Sequence, residues 1–190
     1  MNPEQQLKVI SKAWGRQSGY CFFPVIDGAA KDKTERIQSY HEGPAFEWPK
    51  DRAKILERMA EHQGDDLYWC PSLFEQPRRQ LELAMDEHCL WADLDEIDPR
   101  ALEEYPPTIA WETSPDRYQA LWLTQGDIQG ASWPGRENQC LTYHIGADPS
   151  GWDTTQLLRI PGWKNHKPEY IEKFGDAPEG RLLWHQGRVY

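Results

Sequence analysis

Two aspartates one residue apart, at the end of an apolar run, are the first place where this sequence could do chemistry. The run is Leu90-Trp91-Ala92-Asp93-Leu94-Asp95-Glu96. In a strand, residues two apart share a face, so Asp93 and Asp95 point one way and Leu94 the other. Neighbouring carboxylates repel and resist desolvation unless something positive lies between them. A divalent metal meets that need. Mg²⁺ takes hard oxygen ligands and typically uses one or two carboxylates together with substrate phosphates. Two such ions can activate an attacking oxygen and stabilise a leaving one. The same pattern also fits a polar strand end in solvent, because a three-residue motif recurs by chance. Glu96 and Asp98 read as solvent-facing or helix-capping groups.

Two further segments could handle phosphate. Trp111-Glu112-Thr113-Ser114-Pro115-Asp116-Arg117-Tyr118-Gln119-Ala120-Leu121-Trp122 reads as two strands around a tight turn. Such a turn offers backbone N–H groups and the Ser114 hydroxyl to an anion, with Arg117 and Gln119 as further donors. Without a ligand it is a plain β-hairpin. In Asp153-Thr154-Thr155-Gln156-Leu157-Leu158-Arg159-Ile160-Pro161-Gly162-Trp163-Lys164-Asn165-His166-Lys167, three cations surround a Pro-Gly turn. Arg159 supplies a planar fork, and Lys164 and Lys167 supply point charges, which suits phosphate. A solvated surface would read the same way.

The elements that must hold these residues follow from periodicity and punctuation. Helices are expected over 3–14, 51–62, 78–87 and 134–145, with short ones at 98–99 and 152–157. Strands are expected over 20–26, 67–70, 89–94, 108–113 and 118–124, and a hairpin over 181–190. Residues 27–44 read as a long polar loop. Strands and helices alternate irregularly, which favours α+β over a doubly wound sheet.

Composition bounds the answer. The 190 residues suit one domain and can bury a core without disulfides. The formal charge is −10, an acid excess that argues against a nucleic-acid partner. That excess is confined: residues 61–110 hold 13 acids and 3 bases, and the rest of the chain is balanced. From Arg159 onward six bases meet four acids, so a phosphate-binding face is compatible with the global sign. Cys21, Cys70, Cys89 and Cys140 show no metal or disulfide spacing. Together with the polar start and the lack of a long apolar run, they predict a cytoplasmic protein with no membrane span. Ten tryptophans stand out. Trp91, Trp111 and Trp122 lie in expected strands and belong to a core. Trp133, Trp152 and Trp163 lie near loops, where they could stack on bases. His144 falls on an expected helix and reads as a surface or packing residue.

In this order and spacing the segments resemble the catalytic core of the archaeo-eukaryotic primase superfamily, most closely its RepB-like branch of plasmids, phages and prophages. The likeness runs from about Asp66 to Lys167. Tyr68-Trp69-Cys70-Pro71-Ser72-Leu73-Phe74 and Pro77-Arg78-Arg79 resemble the lead-in. Trp91-Ala92-Asp93-Leu94-Asp95 resembles the first, metal-binding motif. Thr113 to Trp122 resembles the second. Leu158 to Lys167 resembles the R-[LIV]-P-G-x-x-N-x-K signature. That signature speaks against another DxD enzyme, such as a glycosyltransferase.

The resemblance implies an RRM-like primase-polymerase catalytic core with an N-terminal α/β unit, spanning 1–190 as one catalytic domain. Relatives often continue into a helical domain or a helicase. It implies a DNA primase, a nucleotidyltransferase using Mg²⁺ or Mn²⁺ in a two-metal site, nucleoside triphosphates and a single-stranded DNA template. Asp93 and Asp95 match the first two metal ligands. Asp153 is the first choice for the third, with Asp148 second. Ser114, Arg117 and Gln119 match nucleotide contacts, and Gln119 stands where many relatives have histidine. Arg159, Lys164, Asn165 and Lys167 match contacts to nucleotide or template phosphates. A non-catalytic DNA-binding replication-initiator module on the same fold is the alternative.

Overall fold

The computed structural model describes residues 1–85, 88–126, 128 and 135–190. The chain opens with α1 (Pro3–Ile10), which the sequence starts sharply. The Asn2 side chain accepts the Gln5 N–H, the Gln5 side chain accepts the Asn2 N–H, and Pro3 fills the first turn. A 3₁₀ turn over Ser11–Trp14 completes the helix expected over 3–14. The strand expected over 20–26 divides at Phe23-Pro24 into β1 (Gly19–Phe22) and β2 (Val25–Ile26).

The expected loop over 27–44 contains a helix, α2 (Lys33–Gln38). Its cause is local. The Asp32 carboxylate accepts the N–H groups of Thr34 and Glu35 at 2.8 and 2.9 Å, which caps the first turn of an otherwise polar segment. Next come β3 (Ala45–Trp48), α3 (Arg52–Glu61) and β4 (Asp66–Trp69). The helix expected over 78–87 is replaced by a 3₁₀ turn at Leu81–Leu83, and Asp86 and Glu87 lie outside the described residues. There the chain doubles back: Glu75 donates to the Leu83 carbonyl and Met85 to that of Leu73, using the groups a helix would need.

The carboxylate run is β5 (Cys89–Asp95), and the hairpin is β6 (Ile109–Ser114) with β7 (Arg117–Leu123). Between β5 and β6, Asp98 caps a short 3₁₀ turn over Pro99–Ala101. The later elements are α4 (Arg136–Ile145), β8 (Leu158–Arg159), α5 (Pro168–Phe174) and β9 (Arg181–Trp184). Of the helix expected over 134–145, Pro134 lies outside the described residues. Residues 152–157 form no helix. The Asp153 side chain takes the Thr155 N–H and its carbonyl takes that of Gln156, closing a tight turn instead. The 181–190 hairpin is also absent, because β9 pairs with β6 and Tyr190 bonds back to Leu123 and Gln125.

Among the described residues all strand pairs are antiparallel. The main sheet runs β5-β7-β6-β9; a second runs β2-β4-β8, and β1 pairs with β3. This is the mixed helix-and-sheet architecture expected. Aromatic burial joins the layers. Trp14, Trp69, Trp91 and Trp111 are nearly inaccessible and share one core with Leu7, Ile10 and Ile55. Trp122 packs in an adjoining cluster with Leu94 and Ala110. No helix among the described residues is long and apolar enough to cross a membrane.

Candidate active site

The strand β5 delivers Asp93 and Asp95 to the edge of the main sheet, but not by simple alternation. Pairing with β7 runs Asp93 to Gln119 and then Asp95 to Tyr118, so a bulge lies between the two acids. Asp95 takes φ 52°, in the left-handed region that Asp tolerates better than most residues. Leu94 stays fully buried, Asp93 is half-buried, and Asp95 turns out into solvent. Bulges bend a strand and re-aim a side chain. Here the bulge brings Asp95 to Arg117, 2.9 Å away, and Arg117 also pairs with Glu96 at 2.9 Å.

The neighbour of Asp93 on the other side comes from the turn after α4. Asn138 of α4 accepts the Trp91 N–H at 2.7 Å, and the Trp91 indole donates to the Gly151 carbonyl at 3.1 Å. Asp148 donates its own N–H to the Asp93 carbonyl at 3.0 Å. Burial raises the Asp93 carboxyl above its ordinary pKa, and the charges of Asp95 and Asp148 push it the same way, against the hydrogen bond from Gln119. Asp148 therefore stands beside the pair. Asp153 holds its carboxylate on Thr155, accepting the N–H at 2.8 Å and also the hydroxyl. Among the described residues no three acidic, His or Cys side chains converge as a ready metal cage.

Gln119 links this centre to the cationic loop. Its Nε2 donates to Asp93 Oδ2 at 3.3 Å, and its Oε1 accepts the Arg159 N–H at 2.9 Å. Ser114 sits at the hairpin tip, buried, with a hydroxyl that has no hydrogen-bond partner among the described residues. The turn geometry follows from Pro115-Asp116, with Asp116 at φ 60°, the sign a Pro-initiated type II turn requires at its third position.

The loop cations divide. Arg159 is buried against Asp66: its guanidinium donates at 2.8 and 3.4 Å to the two carboxylate oxygens and at 2.8 Å to the Tyr68 hydroxyl, lying 4.9 Å from that ring. Lys164 is half-exposed, 3.4 Å from Asp176. Asn165 is buried and accepts the Lys167 N–H at 3.3 Å. Lys167 starts α5, its ammonium 5.9 Å from the Tyr170 ring, and Tyr170 lies within electrostatic reach of both Arg117 and Arg159. Thus Asp93, Asp95, Arg117 and Gln119 are brought together, Arg159 adjoins them through its backbone, and Lys164 stands apart at an ion pair of its own.

Sequence reasoning missed Asp66. This fully buried carboxylate also accepts from Arg36 of α2 and from the His166 N–H at 2.8 Å. Burial alone would raise its pKa, but His166 and Arg159 hold it well below the usual carboxylate range. The signal was available: an acid opening a buried strand needs cations, and an Arg inside an apolar stretch such as Leu158-Arg159-Ile160 needs an acid. The proposed stacking residues fare differently. Trp163 is buried and donates to the Asp65 carbonyl at 2.8 Å, so it is a core residue. Trp152 is half-buried, and Trp133 lies outside the described residues. His144 is exposed on α4, edge-on to Tyr105.

Comparison with known proteins gives this geometry its context. A family model described as the RepB DNA-primase N-terminal domain matches residues 54–190. Mobilization protein A of Escherichia coli is 33% identical over 134 residues, which cover 70% of this chain and 18% of that protein. The chain thus spans under a fifth of that relative's length. Among solved structures, the crystal structure of primase RepB′ is 23% identical with a TM-score of 0.61, covering 97% of this chain and 58% of that one. The catalytic domain of primase RepB′ in complex with initiator DNA is 21% identical, with a TM-score of 0.62 over 100% and 88% of the two chains. The AEP domain of cyanophage S-2L primase-polymerase is 13% identical, with a TM-score of 0.66 over 98% and 92%. At these identities the structures establish a shared fold.

Proposed function

This chain belongs to the family of RepB DNA-primase N-terminal domains, and from that premise we propose that it is a metal-dependent nucleotidyltransferase making primers on single-stranded DNA in plasmid, phage or prophage replication. The observation that carries the reading is that β5 places Asp93 and Asp95 at the sheet edge, with the Asp148 N–H on the Asp93 carbonyl and Arg117 alongside. The donor set is all carboxylate oxygen, which fits Mg²⁺ or Mn²⁺ with substrate phosphates completing the shell.

Asp93 and Asp95 would hold the metal, and Asp148 is placed third ahead of Asp153 because its N–H bonds the Asp93 carbonyl and its charge reaches Asp93. The bound ion would neutralise the carboxylates and stabilise charge on the reacting phosphate oxygens. The chain's own groups do the rest. Gln119 fixes the Asp93 carboxylate by one hydrogen bond and the Arg159 loop by another. Arg117, beside Asp95, carries the planar fork that would suit the triphosphate. Ser114 at the hairpin tip and Lys167 at the head of α5 add donors on either side, with Asn165 setting the Lys167 backbone, while Lys164 stays paired with Asp176. A 3′-hydroxyl then meets an α-phosphate held in line, so the gain comes from positioning and charge stabilisation.

Template-directed dinucleotide synthesis with Mg²⁺ or Mn²⁺ tests this. The wild-type chain is expected to make product, and Asp93→Ala/Asp95→Ala to make none. Equal yield from both sinks the reading. One observation favours a non-catalytic DNA-binding module instead: Arg117 is already spent on Asp95 and Glu96. That alternative predicts single-strand binding with no synthesis by either protein.

A further inference from the structure

Between α2, β4 and the start of α5 lies a cavity of about 740 Å³, of whose lining the proposed chemistry uses only Lys167. Ile26 of β2 and Tyr68 of β4 line it on one side, and Ile37 of α2 and the following Tyr40 line another. Lys33 of α2 and Lys167 at the start of α5 bring positive charge to it. Most of that wall precedes residue 54, where the family match begins, so it belongs to this chain's N-terminal unit.

The lining has two chemical halves. Tyr68, Tyr40 and the aliphatic pair offer flat and apolar surface, and Ile37 is 67% exposed. Lys33 has no ion-pair partner among the described residues, and the Lys167 ammonium faces the Tyr170 ring. The other charges are committed or opposed: Arg36 is bound to Asp66, Asp32 caps α2, and Glu169 adds one negative charge. A purely apolar ligand would strand the lysines. An inorganic anion would leave the rings and aliphatic surface unused. A base carrying a phosphate uses both, and the volume is that of a small-molecule site. Asp32 and Glu169 repel the dense charge of a free triphosphate more than the single phosphate of a strand.

We propose that this cavity holds one nucleotide of a single-stranded nucleic acid, its base against Tyr68, Tyr40 and Ile37 and its phosphate at Lys33 and Lys167. The proposal deepens the primase reading by naming where the strand is gripped. A short connection joins the two places: Arg159 donates to the Tyr68 hydroxyl, the Arg159 N–H to Gln119, and Gln119 to Asp93.

The test reads binding rather than synthesis, so it stands even if the chain makes no primer. Fluorescence anisotropy with a labelled single-stranded oligodeoxynucleotide, and separately with a labelled nucleoside triphosphate, compares the whole chain with three variants at exposed positions. Lys33→Glu is expected to weaken strand binding about fivefold or more and to lower its salt slope by about one. Ile37→Ser is expected to weaken it with the salt slope unchanged. Lys8→Glu, on α1 and outside this cavity, is expected to change little. Unchanged strand binding in Lys33→Glu and Ile37→Ser overturns the proposal. So does loss confined to the triphosphate, or an equal loss from Lys8→Glu, which would mean that only net charge is being read.

Discussion

A carboxylate is only as useful as the groups that surround it, and Asp93, Asp95, Asp148 and Asp153 show this at the scale of single residues. Their types and the spacing of the first two were plain in the sequence. The third partner was not, because Asp148 and Asp153 are five residues apart in a segment without periodicity. Both carboxylates accept hydrogen bonds within their own turns, Asp148 from Ser150 and Asp153 from Thr155, but Asp148 also bonds the Asp93 carbonyl through its N–H and adds its charge to Asp93. Asp148→Asn is therefore expected to cut synthesis on the order of a hundredfold, the scale of losing one charge-stabilising group at a reacting phosphate. Asp153→Asn keeps an oxygen that accepts the Thr155 N–H. It should retain most activity and lose at most about 1 kcal/mol of stability. Steady-state synthesis rates beside urea melts of both variants check this, and the opposite ranking would move the third ligand to Asp153.

At the scale of elements, local signals read well and distant ones did not. The hairpin of β6 and β7 announced itself through Ser114-Pro115-Asp116-Arg117, and β5 through its apolar run. What stayed hidden depends on partners far along the chain. The two-residue β8 exists because it pairs with β4, and β9 pairs with β6 where a local hairpin was expected. The bulge at Asp95 was also invisible, since alternation alone predicted a flat strand. Gln119 is where these elements meet, with one amide serving the β5 carboxylate and the β8 backbone. Gln119→Leu leaves the buried Arg159 N–H without its acceptor and should cost about 1–3 kcal/mol. It should lower kcat with little change in KM for nucleotide, because the residue positions Asp93 rather than touching substrate. Calorimetry and a kcat-against-KM split test this; a rise in KM alone would make Gln119 a substrate contact.

For the whole molecule, the charge pattern mattered more than its sum. The acid excess of residues 61–110 contains Asp93, Asp95 and Asp66, and of the tryptophans that looked like candidate stacking surfaces Trp163 belongs to the core. Asp66 ties distant parts of the chain together: Arg36 from α2, Arg159 from β8 and His166 from the loop before α5 all converge on it. Its folded pKa is depressed, so the unfolded chain binds its proton more readily. The stabilisation is then present in full above the unfolded carboxyl value of about 3.9 and is lost as pH falls below it towards the depressed folded value. Removing one partner of a buried ion pair typically costs about 3–5 kcal/mol, because the other charges are stranded. Asp66→Asn leaves Arg36 and Arg159 in that position. It should therefore show its full penalty near neutral pH, and the gap to wild type should narrow as acid is added below about pH 4. Urea unfolding across that range measures the gap. A penalty that stayed constant with pH would mean that Asp66 acts through shape and hydrogen bonding alone, and that its charge does not hold the N-terminal unit to the sheet.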